Sequence, residues 1–402
     1  MNPIYHAVID AGSSGTRLFL YAAEPAAYPT ISLIAEIEHS ATPSGKKEDG
    51  INNFVDPGSP SKQNDVLRET IYPLLDSIRP IIRECGVSTA DVRVDLLATA
   101  GMRYAERMYG RAAIEAFYTI LRQGILAAGF MPGQIRTCDG FTEEGVWTWI
   151  NLNDLERDIF RTDNDPVGVL EVGGSSAQIT YSNADTPPAG FVTSYVSVNN
   201  RTFPVFCNTY LGLGQDDARK AMRVNLGSKA NYCFPIGFRA NLDIGDSLDG
   251  VGHYKLTEEG DYKFIECNAV YEQVISELCA SMRLPDLTET EVEFVATDAV
   301  YHSTKFWEAH KNPYQLTKYI SEICHSVESF PGIETNEFVQ AQVANATYIR
   351  ALLYGNNGLF KSNPAVLSHA LASRADGRTR LTWTRGYLIQ AYAVNDATIN
   401  PD

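Results

Sequence analysis

Two short segments of the sequence share one pattern, and that pattern could bind phosphate. Each is an apolar strand that ends in a carboxylate and runs into a turn of glycine and serine: IDAGSSGTRL from Ile9 and LEVGGSSAQI from Leu170. Glycine lets the backbone turn its N–H groups toward an anion, and the serine hydroxyls add further donors. The acid before each turn could hold a cation over that anion. Two such loops that face each other would grip a polyphosphate from both sides.

The donors of the two turns are the candidate phosphate-binding groups. In the first turn they are Gly12, Ser13, Ser14, Gly15 and Thr16, and in the second they are Gly173, Gly174, Ser175 and Ser176. Asp10 and Glu171, which end the two strands, are candidate ligands for Mg²⁺ or Ca²⁺, largely through water, because hard cations prefer oxygen. A turn of this composition is also an ordinary β-hairpin, so either loop alone is a weak signal.

Length, composition and charge limit the class of protein. A chain of 402 residues predicts two or three domains, and 44% hydrophobic with 20% charged residues is typical of a soluble globular protein. The net charge of −16 argues against a nucleic acid polymer as a partner, while a small metal-bound phosphate ester stays compatible. No apolar run approaches the roughly 18 residues of a membrane helix. We therefore expect no membrane anchor, and we expect a monomer.

The seven cysteines show no zinc-binding spacing, so disulfides and free thiols are the alternatives. We expect Cys85, Cys138 and Cys207 to be buried free thiols. The others are Cys233, Cys267, Cys279 and Cys324. They lie near loop-like sequence in the second half, where one or two disulfides would imply an oxidising compartment. We expect a secreted or otherwise extracytoplasmic protein whose signal peptide is absent from this sequence, with a cytoplasmic location as the alternative.

The order of predicted elements indicates two related α/β domains. A β-rich opening followed by alternating strands and helices occurs twice along the chain. Hydrophobic periodicity predicts helices over about residues 63–84, 106–128, 268–283, 314–326 and 336–354. Pro73 and Pro80 are expected to kink or divide the first of these. Near the end of the chain we predict a strand over Leu381–Thr384 and a last helix from about Gly386.

Four segments resemble, in order and spacing, conserved regions of the nucleoside triphosphate diphosphohydrolases, also called apyrases. They are DAGSSGTR (Asp10–Arg17), ATAGMR (Ala98–Arg103), GFTEEGVWTWINLN (Gly140–Asn153) and EVGGSSAQ (Glu171–Gln178). Shorter matches are EDGINNFVDP at Glu48, YLGLGQDDA at Tyr210 and WTRGY at Trp383, with a looser one, FVATDAVYHSTKFW, at Phe294. The resemblance covers nearly the whole chain, and the sequence looks like a soluble member of this family.

The resemblance implies catalytic roles that chemistry also requires. Hydrolysis of a terminal phosphoanhydride needs positioning, charge neutralisation and a base that takes a proton from the attacking water. In the family that base is the second Glu of an EEG-like element, which here is Glu144. Ser176 and the backbone at Thr99 and Ala100 match positions that orient the water. Gln178 matches a residue of the metal's water shell.

Substrate specificity is less defined by the resemblance. In the family, aromatic side chains of the second domain hold the nucleobase, and Tyr301 and Tyr348 occupy the matching positions, although both could equally be core aromatics. Glu171 stands where the family has Asp, and its side chain reaches about 1.5 Å further. Gly15 replaces a larger, often imidazole-bearing residue of the first loop. The loose match at Phe294 leaves the preferred base open.

The fold and reaction implied by the resemblance are specific. We expect two actin-like α/β domains, of the RNase H-like or ASKHA superfamily, each with a mixed five-stranded sheet. The active site is expected in the cleft between them. The first domain should take residues 1–139 and 363–402, and the second residues 140–362. The implied reaction is divalent-metal-dependent hydrolysis of the terminal phosphate of nucleoside triphosphates by base-activated water, with diphosphates as further candidate substrates.

Three other functions were weighed against this one. The exopolyphosphatase and guanosine pentaphosphate phosphatase family has the same fold and similar loops, but its substrate lacks the nucleobase or ignores it. The WTRGY and EEGVWTW segments favour an apyrase instead. A sugar kinase is disfavoured because no clear acceptor-sugar Asp is found. A nucleotide-binding protein without turnover would not need the base Glu144.

Two further features of the sequence can be explained without a catalytic or binding role. Arg103 is interpreted as a structural ion-pair partner rather than a phosphate ligand, and the pair Glu143 and Glu144 would suit any helix start. The sequences NRT at Asn200 and NAT at Asn345 match the N-glycosylation pattern, which often occurs by chance.

Overall fold

The computed structural model of the protein divides into two compact units. It describes residues 3–13, 15–38, 50–183, 187, 189–239, 259–279, 284–287, 290–309, 312, 314–322, 326–333, 337–361, 367–369 and 381–394. The first unit comprises Met1–Pro166, Val192–Cys207 and Ser373–Asp402, and the second comprises Val167–Phe191 and Asn208–Ala372. We expected the first boundary after residue 139, whereas this division keeps residues 140–166 in the first unit.

The first unit is built on a mixed sheet of five strands, as expected. The strands are β1 (Ile4–Gly12), β2 (Gly15–Glu24), β3 (Thr30–Glu38), β4 (Arg93–Ala98) and β5 (Met131–Thr137), in the order β3-β2-β1-β4-β5. The first three pair antiparallel, and β4 and β5 continue the sheet from β1 in parallel. Ile9, Leu18 and Leu96 are fully buried. The carboxyl ends of β1 and β4 therefore lie side by side, at the first Gly/Ser turn.

The helices between these strands begin and end differently from the prediction. They are α1 (Pro60–Val66), α2 (Tyr72–Glu84), α3 (Ala100–Tyr109), α4 (Arg111–Ala127) and α5 (Gly145–Glu156). The helix predicted over residues 106–128 is wrong as a single helix, because Gly110 takes φ +81° and separates α3 from α4. Wide π-helical turns, Leu67–Ile71 and Gly140–Glu144, precede α2 and α5. Pro73 lies in the first turn of α2, where the missing N–H costs little.

The second sheet has six strands instead of the expected five. They are β6 (Gly168–Val172), β7 (Ser176–Tyr181), β8 (Val192–Val198), β9 (Arg201–Leu211), β10 (Phe294–Asp298) and β11 (Leu367–His369), in the order β11-β10-β6-β7-β9-β8. β6 pairs antiparallel with β7 and parallel with β10. β8 pairs antiparallel with β9. The division into units assigns β8 and residues 201–207 of β9 to the first unit.

The second unit also contains five described helices and a disulfide. The helices are α6 (Gln215–Leu226), α7 (Phe264–Leu278), α8 (Ala299–Phe306), α9 (Gln315–Glu322) and α10 (Glu337–Tyr354). Cys233 is bonded to Cys267 of α7, in agreement with a disulfide in the second half. Free thiols are found at Cys85, Cys138, Cys207 and Cys279. Cys324 lies outside the described residues.

The last described helix, α11 (Trp383–Tyr392), belongs to the first unit. The strand predicted over Leu381–Thr384 is wrong, because the helix already begins at Trp383. The hydroxyl of Thr382 accepts the Thr384 N–H and so caps the helix. Among the described residues, no helix combines the length and the apolar character needed to cross a membrane.

Contacts between α11 and α5 explain why residues 140–166 group with the first unit. A Cβ on Gly386 would lie 1.9 Å from the carbonyl oxygen of Trp147, so only glycine permits this approach. Arg385 donates to Asn151 Oδ1 at 2.9 Å and pairs with Asp154 at 2.7 Å. These contacts are buried, which ties the two helices into one core.

Candidate functional site

The first Gly/Ser turn is the tight end of the β1–β2 hairpin. Gly12 pairs with Gly15, and Ser13 follows Gly12 at this end of the hairpin. Ser14 lies outside the described residues. Gly15 has φ +154°, a conformation that favours glycine, and no atom lies within 4 Å of where its Cβ would be. The Oγ1 of Thr16 is buried and has no hydrogen-bond partner among the described protein atoms. That hydroxyl is a donor and acceptor that a bound anion or water could satisfy.

Two glycines outside the turn allow neighbouring segments to pack on its backbone. A Cβ on Gly101 would lie 2.5 Å from Asn52 Oδ1 and 3.1 Å from Ser13 Cα. A Cβ on Gly50 would lie 2.6 Å from the carbonyl oxygen of Gly12. Neither glycine is marked by the sequence alone, although both lie in segments that resemble the family. Their role is to let these segments support the loop.

The second turn, between β6 and β7, is held from one side by the start of α6. The carbonyl of Gly173 accepts from Gln215 N at 2.9 Å, and that of Gly174 accepts from Asp216 N at 2.8 Å. Ser175 likewise accepts, from the N–H of Gly212 at 2.8 Å. In a trans peptide the C=O and the next N–H point in opposite directions. The N–H groups of Gly174 and Ser175 are therefore directed away from the atoms that bind the preceding carbonyls, while the Gly173 N–H donates to the Ser176 carbonyl at 3.0 Å.

The hydroxyls of the second turn are placed by Gln178. Its Nε2 donates to Ser176 Oγ at 2.8 Å and to Thr209 Oγ1 at 3.1 Å, and all three residues are buried. Ser175 Oγ is buried without a partner among the described protein atoms, like Thr16 Oγ1 in the first turn. Ser176 and Gln178, two predicted site residues, are thus brought into direct contact. Thr209 was missed because no motif marks it.

The carboxylates occupy equivalent places in the two hairpins. Asp10 pairs with Arg17 across β1–β2, and Glu171 pairs with Gln178 across β6–β7, each two positions before its turn. The part of the chain that is described contains no group of three or more His, Cys, Asp or Glu that could form a closed metal site. Hard cations tolerate sparse protein ligation when water and substrate oxygens complete the shell. Asp10 and Glu171 offer the oxygen donors that Mg²⁺ and Ca²⁺ prefer.

Glu144 lies at the end of the π-helical turn before α5, where it is 7% exposed. Arg103, in the first turns of α3, donates from Nη1 to Glu144 Oε2 at 2.8 Å and to the Cys138 carbonyl at 3.2 Å. The interpretation of Arg103 as an ion-pair partner is therefore confirmed. The N–H of Thr99, just before α3, donates to the carbonyl of Ala11 at 3.2 Å. Residues 99–103 thus contact both the first hairpin and Glu144.

Glu143 has a different partner and a different task. Arg136 donates to both of its carboxylate oxygens at 2.6 Å, and the N–H of Asp139 donates to Oε2 at 2.8 Å. Asp139 in turn caps the N–H groups of Phe141 and Thr142. Glu143 therefore stabilises the start of the turn. Burial is the main cause that raises the pKa of the nearby Cys138 thiol, and the carboxylates of Glu143 and Glu144 raise it further.

The two tyrosines proposed for the nucleobase are buried. Tyr301 in α8 is 6% exposed, and Lys305 Nζ lies 5.4 Å from its ring centroid. Tyr348 in α10 is 0% exposed and donates its hydroxyl to the Leu213 carbonyl at 2.5 Å. Burial raises the pKa of Tyr348 well above its usual range. Tyr348 is therefore packed inside the second unit in this conformation.

Known proteins are similar to this chain along almost its full length. The model of the GDA1/CD39 (nucleoside phosphatase) family matches residues 1–390. Probable apyrase 4 of Arabidopsis thaliana is 22% identical over 434 residues, which is 99% of this chain and 80% of that protein. The nucleoside diphosphate phosphatase ENTPD5 of Homo sapiens is 27% identical over 288 residues, 68% of this chain and 62% of that protein.

The fold has a similar counterpart among solved structures. A nucleoside triphosphate hydrolase from Neospora caninum matches with a TM-score of 0.65 at 17% identity, over 98% of this chain and 93% of that one. With two mixed sheets, the fold is actin-like α/β, as the sequence predicted. The family match, together with a carboxylate and a Gly/Ser turn in both hairpins, shows that the chain belongs to the GDA1/CD39 family of nucleoside phosphatases.

Proposed function

We propose that the protein hydrolyses the terminal phosphate of nucleoside triphosphates and diphosphates, using water activated by Glu144. The observation that carries this proposal is the repeated hairpin. In both copies a strand-end carboxylate precedes a Gly/Ser turn with a buried hydroxyl that has no partner among the described protein atoms. Family membership supports the reaction class.

Each turn binds phosphate oxygens through its backbone N–H groups and hydroxyls. The carbonyls of the second turn are bound by the start of α6, so they do not repel an anion at the opposite side of the turn. The transition state of phosphoryl transfer is loose and anionic, so positioning and donor placement provide most of the catalysis.

Glu144 accepts the proton of the attacking water. Ser176 orients that water through a hydroxyl that Gln178 holds in place. The backbone at Thr99 and Ala100 contributes to the same task, next to the first turn. A carboxylate in this role must be ionised when water attacks.

Asp10, Glu171 and Gln178 hold Mg²⁺ or Ca²⁺ through water. A nucleoside triphosphate brings about four negative charges toward these carboxylates, and a divalent cation offsets that charge. Lysine is absent from the four core motifs, which increases the need for a cation.

The location of the protein is proposed from its chemistry as well. The Cys233–Cys267 disulfide supports an oxidising, extracytoplasmic compartment. A nucleotide outside the cytoplasm is then the natural substrate.

Phosphate release from ATP, ADP and inorganic polyphosphate tests the proposal. The purified chain should release phosphate from the nucleotides with Mg²⁺ or Ca²⁺ and should lose this activity in excess EDTA. Turnover that persists in chelator would exclude the mechanism. Faster release from polyphosphate than from either nucleotide would favour the exopolyphosphatase alternative, and binding of nucleotide without release would indicate a non-catalytic protein.

A further inference from the structure

We propose that Arg103 is the positioning residue that holds the catalytic carboxylate of Glu144 in place for the attacking water. This inference rests on the proposed function and adds a second residue to its machinery. Arg103 and Glu144 are 17% and 9% exposed at their side chains, and Nη1 and Oε2 lie 2.8 Å apart. A charge-assisted hydrogen bond shielded from water in this way restricts the carboxylate far more than a surface pair would.

The contacts of Arg103 extend beyond the ion pair. The same Nη1 donates to the carbonyl of Cys138, directly after β5. Four residues earlier, the Thr99 N–H binds the carbonyl of Ala11 in the first hairpin. Residues 99–103 therefore relate the position of Glu144 to the position of the phosphate turn. A base must lie within hydrogen-bond reach of a water aligned with the phosphate, so this connection bears directly on the rate.

The neighbouring pair of Arg136 and Glu143 provides a matched control. It is an Arg–Glu ion pair on the same turn, with an N–O distance of 2.6 Å, and it caps the turn instead of holding the base. Its side chains are 35% and 23% exposed. Loss of either arginine removes one guanidinium from the same region. Arg103→Gln removes the ion pair with Glu144, and Arg136→Gln removes the ion pair with Glu143.

The test compares Arg103→Gln with Arg136→Gln. We expect Arg103→Gln to lower kcat by about 10- to 100-fold, the effect of displacing a reacting group by about 1 Å. The KM for Mg-ATP should change by less than about threefold, since Arg103 does not bind substrate in this scheme. Arg103→Lys, which keeps the charge, should recover part of the rate. Arg136→Gln should keep most of the activity.

The split between kcat and KM, together with the partial rescue by Arg103→Lys, separates positioning of the base from a general loss of structure.

A double variant that combines Arg103→Gln with Glu144→Gln distinguishes an effect of Arg103 through Glu144 from direct binding of phosphate by Arg103. If Arg103 acts through Glu144, the double variant should be no slower than Glu144→Gln alone. Additive losses together with a raised KM would show that Arg103 binds phosphate instead, and normal kcat in Arg103→Gln would also overturn the inference. Full activity in Glu144→Gln would contradict the proposed base, which is a separate failure.

We also infer, from a different observation, that Asn200 is an N-glycosylation acceptor and Asn345 is not. Both match the acceptor pattern in the sequence. Asn345 is 2% exposed in α10, and its Oδ1 accepts from Arg219 at 2.7 Å. A glycan at Asn345 would require this part of the core to open. Thr347, the third residue of the same motif, is 0% exposed.

Asn200 lies at the tip of the β8–β9 hairpin. Val198 pairs with Arg201, so Asn199 and Asn200 form a two-residue turn, and both have positive φ, 54° and 58°. Asn199 anchors this turn, since its N–H binds the Ala27 carbonyl and its Nδ2 binds the Phe160 carbonyl. The Asn200 side chain is exposed. A glycan at Asn200 would thus extend from the exposed tip of this hairpin.

The reaction requires an oligosaccharyl transferase and a lipid-linked oligosaccharide. The anomeric carbon of the sugar bonds to Asn200 Nδ2, its bond to the lipid diphosphate breaks, and the amide loses one proton. The full chain, secreted from a cell that contains this machinery, should shift in mobility after treatment with peptide N-glycosidase. Asn200→Gln should abolish the shift, and mass spectrometry of the parent chain should find the resulting Asn-to-Asp change at 200. An unmodified parent chain, or the change at 345, would overturn the inference.

Discussion

At the residue scale, the two adjacent glutamates Glu143 and Glu144 have different surroundings and therefore different roles. Glu143 receives two hydrogen bonds from Arg136 and one from a backbone N–H, which makes it part of the turn's own structure. Glu144 is the more deeply buried of the two side chains and meets Arg103 through Oε2. Sequence alone shows only two acids at a helix start, and the partner arginines separate their roles.

The resemblance places Glu171 where the family has Asp, and the effect of its longer side chain is testable. Glu171→Asp should keep substantial activity and shift the preference between Mg²⁺ and Ca²⁺, because the carboxylate retreats by about 1.5 Å. Glu171→Ala should weaken binding of the metal-nucleotide complex as well as turnover. Calorimetric titration with Mg²⁺ and a non-hydrolysable ATP analogue measures the first effect, and phosphate release measures the second. Equal nucleotide affinity in parent and Glu171→Ala would remove Glu171 from the metal site.

At the element scale, the two hairpins use different supports for the same turn. Segments that carry Gly50 and Gly101 pack on the first turn, while the N-terminal residues of α6 bind the carbonyls of the second. At the first turn a Cβ on either glycine would lie 2.5 Å from Asn52 Oδ1, and at the second a Cβ on Gly214 would lie 2.1 Å from the Ser175 nitrogen. The rigidity of the turns therefore depends on residues that themselves contact no phosphate.

Gly101→Ala tests this dependence. Its Cβ would lie 2.5 Å from Asn52 Oδ1, and such overpacking costs about 1–3 kcal/mol in the free energy of unfolding. Relief of the clash would displace the first turn, so kcat should fall as well. Gly58→Ala is the matched control, because its Cβ would make only an ordinary contact, 3.4 Å from Asp56 Oδ1. Chemical denaturation measures the free energy of unfolding, and phosphate release measures kcat. If Gly101→Ala changed neither quantity, the packing around Gly101 would have room for a methyl group, contrary to this prediction.

At the scale of the whole molecule, a buried polar cluster joins the two ends of the chain within the first unit. Asp95 Oδ2 lies 2.9 Å from His6 Nε2, and Asp95 accepts hydrogen bonds from Tyr387 and, at 2.9 Å, from Arg93. His6 Nδ1 in turn lies 3.0 Å from the Tyr392 hydroxyl. Strands β1 and β4 are thereby tied to α11. Burial opposes the charge of Asp95, but hydrogen bonds from His6, Tyr387 and Arg93 outweigh it and lower its pKa to about 2.

The cluster predicts a specific loss of stability in acid. A carboxyl with a folded pKa below its ordinary 3.8 contributes stability above about pH 4 and loses it as the pH falls toward 2. That contribution is about 2 kcal/mol at neutral pH. The difference in unfolding free energy between the parent and Asp95→Asn should therefore shrink between pH 4 and pH 2. Urea unfolding across this range measures it, and a constant difference would contradict the assigned pKa.

Much of this could be predicted from the sequence, because the decisive signals are local. The two hairpins and the helix start near Glu143 and Glu144 follow from patterns within about ten residues. The break at Gly110 was missed because the apolar pattern continues through it, and the start of α11 was missed because the Thr382 cap was not recognised. Arg103 could not be assigned to Glu144, since 41 residues separate them and only the fold brings them together.

The most direct test of the account compares Glu144→Gln with Glu143→Gln in phosphate release from Mg-ATP. Glutamine keeps the size and hydrogen bonding of glutamate but cannot accept the proton of the water. Glu144→Gln should therefore lower kcat by about 10²–10⁴-fold while the nucleotide still binds. Glu143→Gln should affect stability more than rate. Near-normal turnover in Glu144→Gln, or abolished hydrolysis in Glu143→Gln alone, would contradict the assignment and make the first acid of the pair the base.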